Sequence, residues 1–467
     1  MRAFFIWFLA ALLAAQSSFA ADDDVAPLWL VAGYKALFTC SATFLAQRTP
    51  AQIARNEISG IYADYEPQMR KLPAAAIERQ RGWVSVTYDP AMPPRTAFYR
   101  GTLGCVLLPP GAGPSLRVVG VTLPDVREVG RDQLWPTGDR TAEPPATVAS
   151  RDKLGIVLKK AFDGRSYGRD TRTSGVVVTT RAKLLAEAYS PDSGIDVPQR
   201  TWSAAKSLMG ALVGIAVKER LLRLDEPVGF FSWSAPGDPR GRITFQNLMN
   251  MASGLDAGKA GNRTDEIYFG GALIEELAVT HVLATAPGTR FNYANNDTMM
   301  LSYALRSRIR DDRVYLAYPY ERLFRKIGMH HTWAETDWGG TFILSSQVWT
   351  TARDLARFGL LLANDGRWGR EEVLPRGWVR LMATPAAAQP AQARADGAPA
   401  PGYGMQIWLY GARHGLPDGT MAAQGNRGQY VVVMPSRGLV IVRRGYDGDG
   451  VRFEIEKFAA DVLKALP

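Results

Sequence analysis

The chain has only two cysteines, Cys40 and Cys105, in 467 residues, and only four histidines, His281, His330, His331 and His414. That scarcity excludes a disulfide-dense scaffold, and the histidines show neither H-E-x-x-H nor Cys/His spacing, so no catalytic metal and no cofactor are expected. Runs of like charge are also lacking. Lys and Arg (55) outnumber Asp and Glu (45) for a net charge of +10, but the basic residues are dispersed rather than gathered into a nucleic-acid-gripping tract. The expected partner is a small molecule, not nucleic acid, and the charge leaves the oligomeric state open. No internal repeat is apparent, and a 46% hydrophobic content is enough for one large core or two smaller ones.

The N-terminus carries an address. Arg2 precedes an uncharged apolar run over residues 3–15 and the small-x-small pattern Ser18-Phe19-Ala20, the form of a secretory signal peptide over 1–20. The run is too short to span a bilayer, and no cysteine follows it, so cleavage after Ala20 would release a soluble exported protein; an uncleaved anchor is the alternative. Export would place Cys40 and Cys105 where a disulfide is favoured. Closing a loop of that length stabilises a fold by about 4 kcal/mol in the chain-entropy model.

Three stretches point to chemistry. Ser203-Ala204-Ala205-Lys206 opens an apolar helical run through Val217. Positions i and i+3 share a helix face, so a hydroxyl at 203 meets an amine at 206, and an uncharged amine in a dry pocket can take the serine proton. Alone the pattern is common by chance, and a helix cap beside a solvated lysine explains it equally. Phe291-Asn292-Tyr293-Ala294-Asn295-Asn296-Asp297 follows a Pro287-Gly288 turn and leads into a helix. A tyrosine there can shuttle protons and an asparagine can orient a substrate or the lysine; packing for Tyr293 and an N-cap for Asn295 are the plain alternatives. Gly425-Asn426-Arg427-Gly428-Gln429-Tyr430 begins a hairpin of β-branched runs around Pro435-Ser436-Arg437-Gly438. Glycine at a strand start lets a ligand lie against bare backbone.

In this order the three stretches resemble the S-x-x-K, Y-x-N and K-T-G elements of the serine β-lactamase and penicillin-binding-protein superfamily. Ile243–Leu255 and Thr350–Gly359 look like further segments of class C β-lactamases and their esterase relatives. Trp202–Ser207, Ser345-Ser346 and Gly428-Gln429 are most similar to the 6-aminohexanoate-dimer hydrolase and family VIII esterase branch. The resemblance covers about residues 150–467. It implies an α/β fold of the β-lactamase type, with an antiparallel sheet flanked by terminal helices plus an all-helical subdomain.

The resemblance further implies an acyl-enzyme mechanism. Ser203 is the nucleophile, Lys206 with Tyr293 moves the proton, the Ser203 and Gln429 N–H groups form the oxyanion hole, and Asn295 holds the acyl chain or steers Lys206. Which of Lys206 and Tyr293 is the primary base stays open. Aligning Gly428 with the K-T-G glycine puts Asn426 where the lysine stands and Arg427 where the threonine stands. Losing that cation argues against efficient β-lactam turnover unless Arg427 reaches into the cleft to bind a carboxylate; a solvated arginine is the alternative.

The function expected is an exported, periplasmic serine hydrolase acting on small linear amides or esters. The alternatives are a β-lactamase or D-Ala-D-Ala peptidase, and an inert binding protein of the same fold. The domains expected are the signal peptide at 1–20, an N-terminal accessory region at 21–150 with a linker near 136–150, and the hydrolase domain at 151–467. In the accessory region, helical periodicity near 28–58 precedes strand-like Trp83–Tyr88 and Cys105–Leu108. In the hydrolase domain a hairpin is expected at 175–189, a strand pair at 429–444 and a closing helix at 454–463, with 385–401 as a surface loop. Tyr403, Met405 and Trp408 follow that loop and could wall the cleft, although packing is the commoner role for such residues.

Overall fold

The computed structural model describes residues 25–466 except 114, 115, 117, 258–263, 391, 395 and 396. The apolar run and cleavage pattern of the N-terminus lie outside the described residues.

The catalytic half is built on a seven-stranded antiparallel sheet. Its hairpin Thr173–Thr180 (β5) and Leu184–Tyr189 (β6) comes early in the chain. Gly402–Tyr403 (β12), Trp408–Leu409 (β13), Met421–Gly425 (β14), Gln429–Met434 (β15) and Leu439–Gly445 (β16) come late, and the order across the sheet is β12-β13-β14-β15-β16-β5-β6. The strand from one end of the domain thus pairs with the hairpin from the other, Val442 opposite Val177 and Ile441 opposite Val178. These strands are apolar on both faces because both faces are covered. Val432, Ile441, Val176 and Val178 pack beneath the helices Lys153–Ala161 and Ile455–Ala465, while Val431, Val433, Val440 and Val442 join the main core with Leu355 and Phe358 of the helix Ala352–Ala363.

In sequence, between these two groups of strands, come the helix Ala205–Lys218 and the helix Asn295–Ile309, which lie against each other. A three-stranded sheet stands beside them: Gln199–Arg200 (β7) and Thr332–Ala334 (β8) flank Val348–Thr350 (β9). A small hairpin, Arg367–Trp368 (β10) and Glu371–Glu372 (β11), follows the helix Ala352–Ala363.

The accessory region has its own small sheet. Helix Leu28–Phe44 lies against an antiparallel meander of Ala76–Glu78 (β1), Trp83–Val86 (β2), Arg95–Tyr99 (β3) and Cys105–Leu107 (β4). Cys40 and Cys105 form a disulfide that fastens the helix to β4. A helix with one apolar stripe could rest on a sheet with its back to water; this one is buried all round, from Leu30 to Thr43. The catalytic half covers its other face: Tyr34 and Phe38 pack edge-on against Phe269, and Ser41 donates a 2.6 Å hydrogen bond to Glu335. The two regions share one continuous core.

The stretch read as a linker is anchored where it begins. Trp135 is buried, its indole N–H reaches Thr179 at 2.8 Å, and Arg357 donates to the carbonyls of Pro136 and Gly138 and to Asp139. Its indole ring lies under the Arg357 guanidinium. Exposure is concentrated later, at residues 142–144 and 147–149.

Candidate active site

The chain leaves β7 at Arg200, where Thr201 N–H still pairs with the Val348 carbonyl at 2.8 Å, and turns sharply at Trp202. Trp202 has φ +51°, a left-handed conformation that bulky residues seldom adopt. A single 3-10 turn, Trp202–Ala204, then feeds the helix Ala205–Lys218. Ser203 therefore stands at the mouth of the helix, partly exposed, while Lys206 lies one turn in and is 1% exposed.

Lys206 Nζ has three neighbours: Ser203 Oγ at 3.2 Å, Asn295 Oδ1 at 2.6 Å and the Ser345 carbonyl at 2.8 Å. A neutral amine fits this set, donating two N–H groups to the two carbonyl-type oxygens and offering its lone pair to the Ser203 hydroxyl. The electrostatics agree. Burial, and then the nearby charge of Arg200, hold Lys206 well below its ordinary pKa.

Tyr293 completes the group. Its ring lies 5.1 Å from Lys206 Nζ; burial pushes the phenol well up, the nearby Ser203 hydroxyl opposes that, and it stays protonated at neutral pH. Tyr403 and Trp408 pack on the Tyr293 ring at 5.7 and 5.2 Å, so that aromatic pair braces the shuttle residue. Tyr403 and Met405 are buried, whereas Trp408 is half-exposed beside the site. Gln406 ties the supporting elements together. Its carbonyl accepts from Ser207, its Oε1 accepts from Thr298, and its Nε2 donates to the carbonyls of Leu248 and Met249.

The third stretch departs from its expected geometry. Gly428 does not abut the nucleophile: with φ +74°, a Cβ there would sit 1.8 Å from Arg443 Nη1 and 2.2 Å from Asp447 Oδ2, inside a fully buried ion pair. Gly425, at the end of β14, is the residue that touches the nucleophile turn. A Cβ on it would lie 2.1 Å from the Thr201 carbonyl oxygen, 3.0 Å from Trp202 Cβ and 3.1 Å from Ala204 N. The glycine packed against the turn that carries Ser203 is thus three residues earlier than the Gly428 on which the alignment was made.

The side chains beyond Gly425 follow suit. Gln429 faces Gly425 across the ladder, and its amide is taken up by the carbonyls of Arg427 and Gly445 and by Arg444. Asn426 is exposed at the turn, with its Oδ1 accepting from Arg427 N at 2.8 Å. Arg427, expected to bind a carboxylate or to be solvated, does neither. It is buried, and its guanidinium donates to the carbonyls of Asn56, Ser59, Tyr446 and Asp447. Its role is to bind the β14–β15 turn to the accessory region.

Residue spacing gave no sign of Tyr268, whose hydroxyl meets Ser345 Oγ and whose pKa burial pushes up to about 12, nor of Arg200. The first reaches the site from 65 positions downstream of Ser203, through a fold contact with no local pattern.

The sequence matches the Beta-lactamase family model over residues 158–443, more than half of the chain. Solved structures share the fold. A Bacillus anthracis protein provisionally named a 6-aminohexanoate-dimer hydrolase is 21% identical, with a TM-score of 0.55 over 70% of this chain and 87% of that one. A family VIII carboxylesterase is 11% identical, with a TM-score of 0.54 over 69% and 99%. A penicillin-binding-protein homologue from Caulobacter crescentus is 13% identical, with a TM-score of 0.53 over 69% and 99%. No curated protein sequence matches the chain.

Proposed function

Since the chain belongs to the beta-lactamase family, we propose that it is a serine hydrolase that cleaves amide or ester bonds of small linear substrates through an acyl-enzyme on Ser203. The observation that carries this reading is the seat of Lys206: a buried amine held well below its ordinary pKa, 3.2 Å from the Ser203 hydroxyl. In the proposed cycle Lys206 takes the Ser203 proton as Oγ attacks the carbonyl carbon. Tyr293, a protonated phenol beside the same hydroxyl, passes a proton to the departing amine or alcohol and regains one from Lys206. Water then repeats the attack on the acyl carbon, with Tyr293 again between solvent and Ser203.

The oxyanion donors that the packing favours are the N–H groups of Ser203 and Asn426. The second follows directly on Gly425, which packs against the turn that carries Ser203. Such a donor is worth about 3 kcal/mol in the transition state.

Amidase or esterase action, as in the names of the 6-aminohexanoate-dimer hydrolase and the carboxylesterase of like fold, is favoured over β-lactam or D-Ala-peptide chemistry by Arg427. The cation that would hold a substrate carboxylate is committed to backbone carbonyls. We place the enzyme in the periplasm, on the strength of the N-terminal run at residues 3–15; a disulfide is in keeping with an oxidising compartment.

The test is intact-mass analysis after a fluorophosphonate, with Ser203→Ala as control, followed by p-nitrophenyl esters, linear amides and nitrocefin. One adduct that vanishes in the control, with ester or amide turnover exceeding that of nitrocefin, is the expected result. No adduct would return the inert binding protein to first place, and fast nitrocefin turnover would replace the substrate class.

A further inference from the structure

Arg200 is the most unusual charge near the site. It is 1% exposed and, among the described residues, has no carboxylate within ion-pair distance. Its guanidinium is clamped between two rings, Phe38 of the accessory helix at 4.2 Å and Trp202 of the nucleophile turn at 3.7 Å. Nη2 donates to Ser346 Oγ at 2.6 Å and Nε to the Ser346 carbonyl at 3.4 Å, while Nη1 has no hydrogen-bond partner. Ser346 neighbours Ser345, whose carbonyl holds Lys206. A buried, unpaired guanidinium is costly, and a fold that keeps one where a methionine would pack gains something from the charge.

We propose that Arg200 is a positioning residue for Ser203 and Lys206: clamped by Phe38 and Trp202 and bonded to Ser346, it fixes the turn that carries the nucleophile and sets a permanent positive charge behind the lysine. The inference rests on the hydrolase reading above. Its consequence is that the accessory region, through Phe38, belongs to the catalytic unit.

The groups around this charge are few. Lys206 is faced by Arg200 on β7, by the Tyr293 ring, and by the neutral Asn295 and Ser345 carbonyl. Arg200 is faced by Tyr34 on the accessory helix, by Tyr62, by Tyr268 and by Glu335. Tyr34 and Tyr268 are both held protonated by burial, whereas Glu335, raised by burial to about 7, titrates where it could mimic Lys206.

The experiment is the second-order rate of Ser203 modification by a fluorophosphonate, measured from pH 5 to 10 on the full mature chain. Removing the positive charge makes Lys206 easier to protonate. In Arg200→Met the acidic midpoint of the profile should therefore move up by about one pH unit, with a loss approaching tenfold on the acidic side of the wild-type midpoint that recovers at alkaline pH. Arg200→Gln, which keeps a donor for Ser346, carries the same expectation should the methionine variant fail to fold. Arg200→Lys keeps the charge and should hold the wild-type midpoint at a lower plateau.

Repeating the series in a Glu335→Gln background separates the two titrating groups, and the shift should persist there. Uniform loss at every pH, or a shift that vanishes without Glu335, would overturn the inference while leaving the labelled serine hydrolase intact. An unlabelled wild type would remove the hydrolase reading and this inference with it.

Discussion

The catalytic half and the accessory region obey different rules. In the catalytic half the chemistry stands in short local patterns: Ser203 and Lys206 are one helical turn apart, and Tyr293 and Asn295 bracket one residue. In the accessory region no pattern announces a function, yet its side chains and carbonyls reach the site's supports from the far side. Phe38 stacks on Arg200, and the carbonyls of Asn56 and Ser59 hold Arg427. The helix Leu28–Phe44 is buried on every face only because the catalytic half supplies one of them. Motif residues report what a protein can do; the unmarked region decides how firmly they are held.

The largest effect expected is on the catalytic side. Lys206→Ala should lower kcat/KM by about a thousandfold or more, because the amine that takes the Ser203 proton is lost, beyond any loss of melting temperature from the emptied buried site. Full-length activity assays beside thermal melts check this, and a stable variant that kept its rate would make Tyr293 the base.

Next comes the disulfide. Replacing both Cys40 and Cys105 by Ser frees a 65-residue loop and should cost about 4 kcal/mol. Because the two regions share one core, the loss should appear as a single transition shifted to lower temperature, with Ser203 labelling lost in the same transition. Two separate transitions in calorimetry would mean that the accessory region folds as its own unit and would break the comparison drawn here.

A smaller effect is expected at the seam. Arg427→Met leaves the carbonyls of Asn56, Ser59, Tyr446 and Asp447 without their charged donor, for a loss of about 3 kcal/mol. It should also lower kcat more than it raises KM, since it loosens the turn carrying Asn426, and urea unfolding with steady-state kinetics reads both. Equal loss on neutral and carboxylate-bearing esters is expected; selective loss on the latter would restore a carboxylate-binding role.

Arg427 also marks the limit of what was legible in the sequence. The β5–β6 hairpin, the β15–β16 pair and the closing helix could be read because alternation and helical spacing are local, and Ser203, Lys206, Tyr293 and Asn295 because their spacing is. The Gly425 edge was missed by three residues since two glycines in one turn offer the same sequence signal, and only the packing of β14 on Thr201 separates them. Tyr268, Arg200 and the roles of Phe38 and Asn56 depend on contacts across the fold, where one sequence carries no record of distance. The strands β1 and β3 were likewise hidden: three exposed or half-buried residues, Ala76–Glu78, and a polar start at Arg95 give no alternation to read.

The smallest effect joins the two regions through a proton. Glu335 is fully buried, accepts from Ser41 Oγ at 2.6 Å and Cys105 N at 2.9 Å, and is raised by burial to about 7 from an ordinary 4.5, those two hydrogen bonds opposing the rise. A carboxyl whose folded pKa lies above its unfolded one favours the fold while protonated. Its contribution is full below about pH 4.5 and is lost as pH climbs toward 7, where the folded protein must either keep an extra proton or bury a charge. Glu335→Gln keeps an oxygen for Ser41 and Cys105 and carries no such charge. It should flatten this part of the stability profile and, relative to wild type, gain on the order of 2 kcal/mol between pH 5 and 8. Urea unfolding of both proteins across that range is the check: parallel curves would mean that the carboxylate is stabilised at the seam, most simply by the guanidinium of Arg200, and that the charge behind Lys206 is already shared with the accessory region.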